Sequence, residues 1–134
     1  EPHACAAVHA GWRGTVAKIL QRAVAVMKAA YKTNLEYVQV CIGPGISLDA
    51  FEVGDEVWQQ FAENGFKMES ISKRYDKWHI NLWECNRLQL IDIGVNPCNI
   101  QIANICTYSN TDEFFSARKM SINSGRILTG ILLE

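Results

Sequence analysis

Val8-His9-Ala10-Gly11-Trp12-Arg13-Gly14 is the stretch on which the reading of this chain turns. A short apolar run, residues 5–9, ends in an imidazole. Two glycines bracket a Trp–Arg pair, and an amphipathic helical pattern starts at Thr15. Strand, tight turn and helix in that order belong to chains that mix the two kinds of secondary structure. The order sets His9 at a strand end and Arg13 beside a helix N-terminus, where unpaired backbone N–H groups favour anions. Glycine on both sides of the pair lets the backbone come close to whatever sits there. A metal, an anion or both fit such a place.

Outward from this run, helical and extended patterns alternate. Residues 5–9 read as a short buried strand. Residues 15–32 read as one helix, with Val16, Ile19, Leu20, Ala23, Met27 and Tyr31 on its apolar face. Residues 37–42 read as a strand stopped by Gly43-Pro44-Gly45, and residues 53–64 as a helix anchored by Trp58 and Phe61 and closed by Gly65. A charge-mixed loop or irregular strand follows over 66–77, then a brief strand at 78–80. Asn81 caps a third helix over 82–93, which Gly94 closes. Residues 100–106 alternate as a strand, 109–115 form a loop, 121–125 a turn, and 126–133 a final apolar strand. The expected class is α+β, with mixed β-sheets packed against flanking helices.

The 134 residues suffice for one domain with its own core, taken here as residues 1–134. Hydrophobic residues make up 49% and charged residues 20%, ordinary for a globular domain. A net charge of −1 gives nucleic acid or an anionic membrane no footing. No apolar stretch reaches the roughly 18–20 residues of a membrane span. The five cysteines, Cys5, Cys41, Cys85, Cys98 and Cys106, are odd in number and form no CxxC pair. They read as buried free thiols of a protein kept in the reducing cytoplasm. The chain opens on Glu1-Pro2-His3, without an initiator methionine or leader, so it is expected to be the later part of a longer protein.

Each candidate site residue has a plain structural reading beside its functional one. His9 is either a structural histidine or a metal ligand. His3, Cys5 and His9 share strand parity, yet residues 5 and 9 of a strand lie about 13 Å apart at ~3.3 Å per residue. Donor atoms on one zinc lie under ~4 Å apart, so His9 needs partners from other segments. Arg13 either packs on Trp12 or clamps a phosphate or carboxylate in bidentate fashion. Gly43 belongs to a tight turn that equally suits a pocket wall. Cys41 reads as buried rather than nucleophilic, and His79 as structural. Thr107, Tyr108, Phe114, Phe115 and Arg118 offer hydroxyls, stacking faces and a guanidinium suited to a flat ring bearing an anion. Gly125-Arg126 adds a further arginine, and the two phenylalanines could instead be core. There is no GxSxG, P-loop, GxGxxG or HExxH pattern.

The motifs resemble a known family. Ala7-Val8-His9-Ala10-Gly11-Trp12-Arg13-Gly14 resembles the signature of the YfiH-like proteins, also called the polyphenol oxidase or laccase-domain family. Ile42-Gly43-Pro44 with Ile46, Phe51-Glu52-Val53-Gly54, Leu82-Trp83 with Asn86-Arg87-Leu88-Gln89-Leu90, Cys106-Thr107-Tyr108, Phe114-Phe115-Ser116 through Arg118, and Gly125-Arg126 follow in that family's order. The match runs along essentially the whole chain.

The resemblance implies a YfiH-like α+β sandwich and a zinc-dependent enzyme. Such an enzyme cleaves adenosine, inosine or guanosine with phosphate and deaminates adenosine. It implies that His9 is one of three metal ligands. The other two, a cysteine and a histidine, lie in blocks upstream of the signature and absent here, so that this chain is the C-terminal part, missing its N-terminal part. Ala117 stands where the family has tyrosine, and Asn81 where it has aspartate. On this reading His9 and Arg13 are catalytic, with His9 also on zinc. Gly43, Thr107, Tyr108, Phe115, Arg118 and Arg126 bind purine nucleoside and phosphate. Two rival readings stand beside it: a copper-dependent polyphenol oxidase, for which three histidines are too few to build a multicopper centre, and an inactive fragment with no metal bound.

Overall fold

The computed structural model describes residues 3–134. It contains helices α1 (Trp12–Val16), α2 (Ile19–Tyr31), α3 (Asp55–Glu63), α4 (Met68–Ile71), α5 (Leu82–Asp92) and α6 (Ala117–Met120). Its strands are β1 (Val40–Ile42), β2 (Glu52–Val53), β3 (Ser72–Arg74), β4 (Trp78–Ile80) and β5 (Ile100–Ile102). The fold is α+β with mixed pairing, as the periodicities predict. β1 and β5 pair in parallel, Val40 against Ile100 and Ile42 against Ile102. β2, β4 and β3 form an antiparallel sheet in that order. No described helix is long and apolar enough to cross a membrane.

α5 is the spine. Asn81 caps it, its side chain accepting from the Glu84 N–H at 3.1 Å, and Gly94 beyond its end takes φ 104°, a conformation that favours glycine. Its first half, Leu82 and Cys85, enters a core with Phe51, Val53, Phe61, Met68, Ile71 and Ile80. Its second half puts Leu90 into another with Val24, Val95 and Ile100. Buried between the two, Asn86 donates to Thr15 Oγ1 at 3.2 Å and to the Leu82 carbonyl at 2.9 Å, while Gln89 Nε2 donates to the Thr15 carbonyl at 2.8 Å. This polar seam ties α1, and with it the signature run, to α5. Thr15 is fully buried, so the seam is laid down in low dielectric, where a missing partner is costly.

Several sequence expectations need correction. The helix expected over 15–32 is two: α1 starts at Trp12 on Gly11, and Lys18 at φ 59° breaks the path before α2. Tyr31, assigned to its apolar face, is exposed, and Val24 is buried instead. The helix expected over 53–64 begins at Asp55, because Glu52 and Val53 pair with β4. The irregular segment 66–77 holds α4 and β3. Asn104 at φ 56° ends the strand expected over 100–106 after Ile102. Residues 5–9 and 126–133 are not strands, and they are exposed rather than buried, with Leu128 at 97%. Apolar alternation makes a strand only where another backbone offers hydrogen bonds, and no described strand pairs with either segment. Cys5, Cys41 and Cys98 are exposed; only Cys85 and Cys106 are buried.

Candidate functional site

The signature run folds back on itself. Gly11 caps α1, and its carbonyl accepts from Thr15 N–H at 2.8 Å. A Cβ at Gly11 would meet His9 Nε2 at 3.2 Å, tighter than side chains ordinarily pack. Glycine there gives the imidazole its resting place. Thr15 Oγ1 reaches the Ala10 carbonyl at 3.3 Å, so the buried seam also fixes the turn beside His9. His9 itself is exposed, and none of its side-chain atoms is hydrogen-bonded among the described residues. Arg13 lies over the Trp12 ring at 4.5 Å, with its guanidinium edge in solvent.

A second group forms where the turn after β1 meets the segment after β5. Gly45 N–H donates to the Ile105 carbonyl at 3.1 Å, and Thr107 N–H to the Gly45 carbonyl at 2.9 Å. Gly45 is the crowded glycine, since a Cβ there would stand 3.1 Å from Trp83 Nε1; a Cβ at Gly43 would meet nothing within 4 Å. Between the two segments, Cys106 Sγ accepts from Ser47 Oγ at 3.2 Å and from Ser47 N–H at 3.4 Å. Burial alone would push the thiol up, but the Ser47 and Ser109 hydrogen bonds outweigh it and lower the pKa from 9.0 to about 7. Cys85, buried beside Glu84 without such donors, is pushed up to about 12.

Cys106 is therefore about half thiolate near pH 7. A folded-state pKa below the ordinary value means the thiolate's stabilisation is fully present above about pH 9. It is lost as pH falls through about 7. The thiolate absorbance of the protein, less that of a Cys106→Ala variant, is expected to titrate near pH 7. Ser47→Ala is expected to move that midpoint toward 9.0. A midpoint that stays put on removing the hydroxyl would show that Ser47 does not stabilise the thiolate.

A third group is the C-terminal block. The Phe115 ring, 52% exposed, lies against Gly125, where a Cβ would come within 2.6 Å of it. Arg126 turns back on its own chain, Nη1 donating to the Ser124 carbonyl at 2.6 Å. Arg118 Nη1 donates to the Glu52 carbonyl at 2.7 Å, and its guanidinium lies 5.1 Å over the Phe51 ring. Lys119 stands 5.3 Å over the Tyr108 ring. None of Arg13, Arg118 and Arg126 is paired with a carboxylate among the described residues. His79 is buried, with Nδ1 2.9 Å from the Leu48 carbonyl, a structural position.

Gly43, Thr107 and Tyr108 thus share one neighbourhood, Phe115 and Arg126 another, and Arg118 docks on the strand that begins at Glu52. No hydrogen bond or ion pair among the described residues joins His9 or Arg13 to residues 106–126. Their common ground is the first core, against which Trp12 and Ile46 both pack alongside buried Phe51. Sequence reasoning passed over Ser47. Its only signal is its place two residues after the Gly43-Pro44-Gly45 turn.

The sequence model of the family described as multi-copper polyphenol oxidoreductase laccase matches residues 1–134. The chain belongs to this family. It is 52% identical over 134 residues to a purine nucleoside phosphorylase of Bacteroides thetaiotaomicron, covering 98% of this chain and 50% of that protein. It is 42% identical over 126 residues to adenosine deaminase RL5 of an unknown prokaryotic organism, covering 92% and 48%. Among solved structures, the YfiH protein of Bacillus licheniformis superposes with a TM-score of 0.75 at 26% identity over 84% of this chain and 43% of that one. YlmD of Geobacillus stearothermophilus gives 0.75 at 29%, with the same coverage. The chain spans about half the length of the curated relatives it matches.

For a laccase-family chain the metal is the obvious question. Among the described residues, no three His, Cys, Asp or Glu side chains converge on one point. His9 offers one nitrogen, whereas a zinc or copper centre takes at least three protein ligands. The described residues on their own do not fit a metal centre.

Proposed function

We propose that the whole protein cleaves purine nucleosides with phosphate, with adenosine deamination as a companion activity. In this reading the chain supplies the anion and base contacts. Support comes chiefly from the 52% identity to a purine nucleoside phosphorylase over 98% of this chain. Two features lend support: three arginines without acidic partners among the described residues suit phosphate, and an exposed Phe115 ring set on Gly125 suits a flat base. In phosphorolysis a phosphate oxygen bonds the sugar carbon as the glycosidic C–N bond breaks, and the base leaves with a proton. Arg13, lying free on Trp12, is the phosphate ligand in this reading. Tyr108 with Thr107 and Gly43, Phe115 with Arg126, and Arg118 on the Glu52 carbonyl are three separate surfaces offered to base and substrate charge in this reading. His9 is one donor to a metal, zinc on the chemistry of the His and Cys donors the family uses, and the remaining donors come from outside these 134 residues. Such a metal, once bound, supplies Lewis-acid polarisation or water activation. In this reading the protein works in the cytoplasm, which free thiols support.

The test is the whole protein with inosine plus phosphate, and separately with adenosine, alongside metal analysis. Hypoxanthine release that requires phosphate, or inosine formed from adenosine, is the expected result. Neither product, from a preparation holding stoichiometric zinc, refutes the proposal. Copper with oxidation of a phenol would instead favour the activity in the family's description.

A further inference from the structure

The two ends of the described chain lie together on an apolar groove. A cavity of about 690 Å³ is lined by α2, by residues 37–40, by residues 3–6 with Val8, and by Ile131 and Leu133 from the far end of the chain. Leu20, Met27, Val38 and Val40 make it largely apolar. The Cys5 thiol reaches the Ile131 carbonyl at 3.9 Å, which sets the two end segments side by side. Apolar side chains continue beyond the groove into solvent, with Ile131 60% and Leu132 87% exposed. Contiguous apolar surface of this kind marks an interaction site. The backbone is open as well. No N–H group of residues 5–9 or 127–133 donates a hydrogen bond among the described residues, and β1 pairs on one side only, with β5.

These features select the occupant. A small apolar ligand would fill the groove and still leave two runs of unpaired N–H groups. A polypeptide that adds strands covers the apolar surface and pairs the backbone together. The 52% identical phosphorylase holds the equivalent of this chain in half its length. Both ends of the chain lie on the groove, so further chain joined to either end starts there. Over so short a link, covalent attachment supplies an effective concentration in the millimolar range, which a second copy lacks at ordinary protein concentrations. We propose that the remaining half of the whole protein docks on this groove, pairing with residues 5–9 and 126–133 as strands. The inference rests on the half-length match and not on the purine chemistry.

The test is amide hydrogen exchange of the whole protein, read by mass spectrometry. Peptides spanning 5–9 and 126–133 are expected to exchange at least ~100-fold slower than unstructured chain, as paired strands do. Tyr31 and Ile131 line the groove and are exposed in these 134 residues. Tyr31→Asp and Ile131→Asp are each expected to lower the melting temperature of the whole protein by at least ~4 °C, since a covered carboxylate lacks a partner. Val26→Asp, on the same helix but away from the groove, is expected to move it by less than ~2 °C. Tyr31→p-benzoylphenylalanine is expected to cross-link on irradiation to a peptide outside these 134 residues of the same polypeptide. Cross-links between copies, detected by mixing isotope-labelled with unlabelled protein, would give the groove to a second copy and overturn the proposal. Exchange at the unstructured rate in both segments, or groove aspartates no worse than Val26→Asp, overturns it too. None of these readouts involves catalysis, so a protein inactive on nucleosides leaves the outcome standing.

Discussion

Replacing His9 by alanine in the whole protein is expected to lower kcat/KM for nucleoside cleavage at least ~100-fold, about 2.7 kcal/mol of transition-state stabilisation. On the proposed reading, metal should be lost with it. Partners of metal ligands typically cost 10–100-fold when mutated, and a ligand itself costs no less. The same change is expected to leave thermal stability nearly untouched. His9 is exposed and unbonded among the described residues, and surface substitutions of that kind usually stay within ~0.5 kcal/mol. The two readouts must separate. Metal content by elemental analysis and kcat/KM should collapse while the melting temperature holds. Full metal content in an active His9→Ala protein would remove His9 from the centre. A large stability loss would make it the structural histidine that its place in a short apolar run also allows.

Phe61→Ala is expected to do the opposite, costing about 3–5 kcal/mol of stability by urea unfolding. The side chain is fully buried, and its ring meets Phe66 edge-on at 5.1 Å. It stands in one core with Ile71, Ile80 and Cys85, all nearly or fully sealed from solvent. Truncation loses the transfer free energy of the ring and leaves a cavity among elements fixed by the β2–β4–β3 sheet, which limits collapse. Against a typical 5–15 kcal/mol in total, that is a large share. A loss below ~1.5 kcal/mol would mean that the first core relaxes around the hole. Since Trp12 and Ile46 pack on this core, a partial loss should also loosen the turns that carry His9 and Ser47.

Part of the framework around the candidate site was legible because it is set by local chemistry. Gly94 after a helix and Asn81 as a cap are choices made within a few residues of backbone, and both stand where the spacing puts them. The family's order of motifs was equally readable, since it needs no geometry. The low pKa of Cys106 was not. It depends on Ser47, 59 residues away, and the two meet only because β1 and β5 pair in parallel and carry their following turns into contact. A thiol in an apolar run looks inert until the donors around it are known.

The sequence by itself determined the mixture of helix and strand, the position of the His-Ala-Gly-Trp-Arg-Gly turn at the head of a helix, and the family. These follow from periodicity, caps and residue order, which are local. Tertiary structure alone decided which apolar runs become strands. Residues 40–42 and 100–102 do so because each offers the other its backbone, while the equally apolar 5–9 and 126–133 stay unpaired. It also decided that α5 is buried along two cores, and that the arginines rest on Trp12, Glu52 and Ser124 rather than on one another. Pairing, burial and charge neighbourhood are properties of segments brought together from far apart, and no window of the chain contains them.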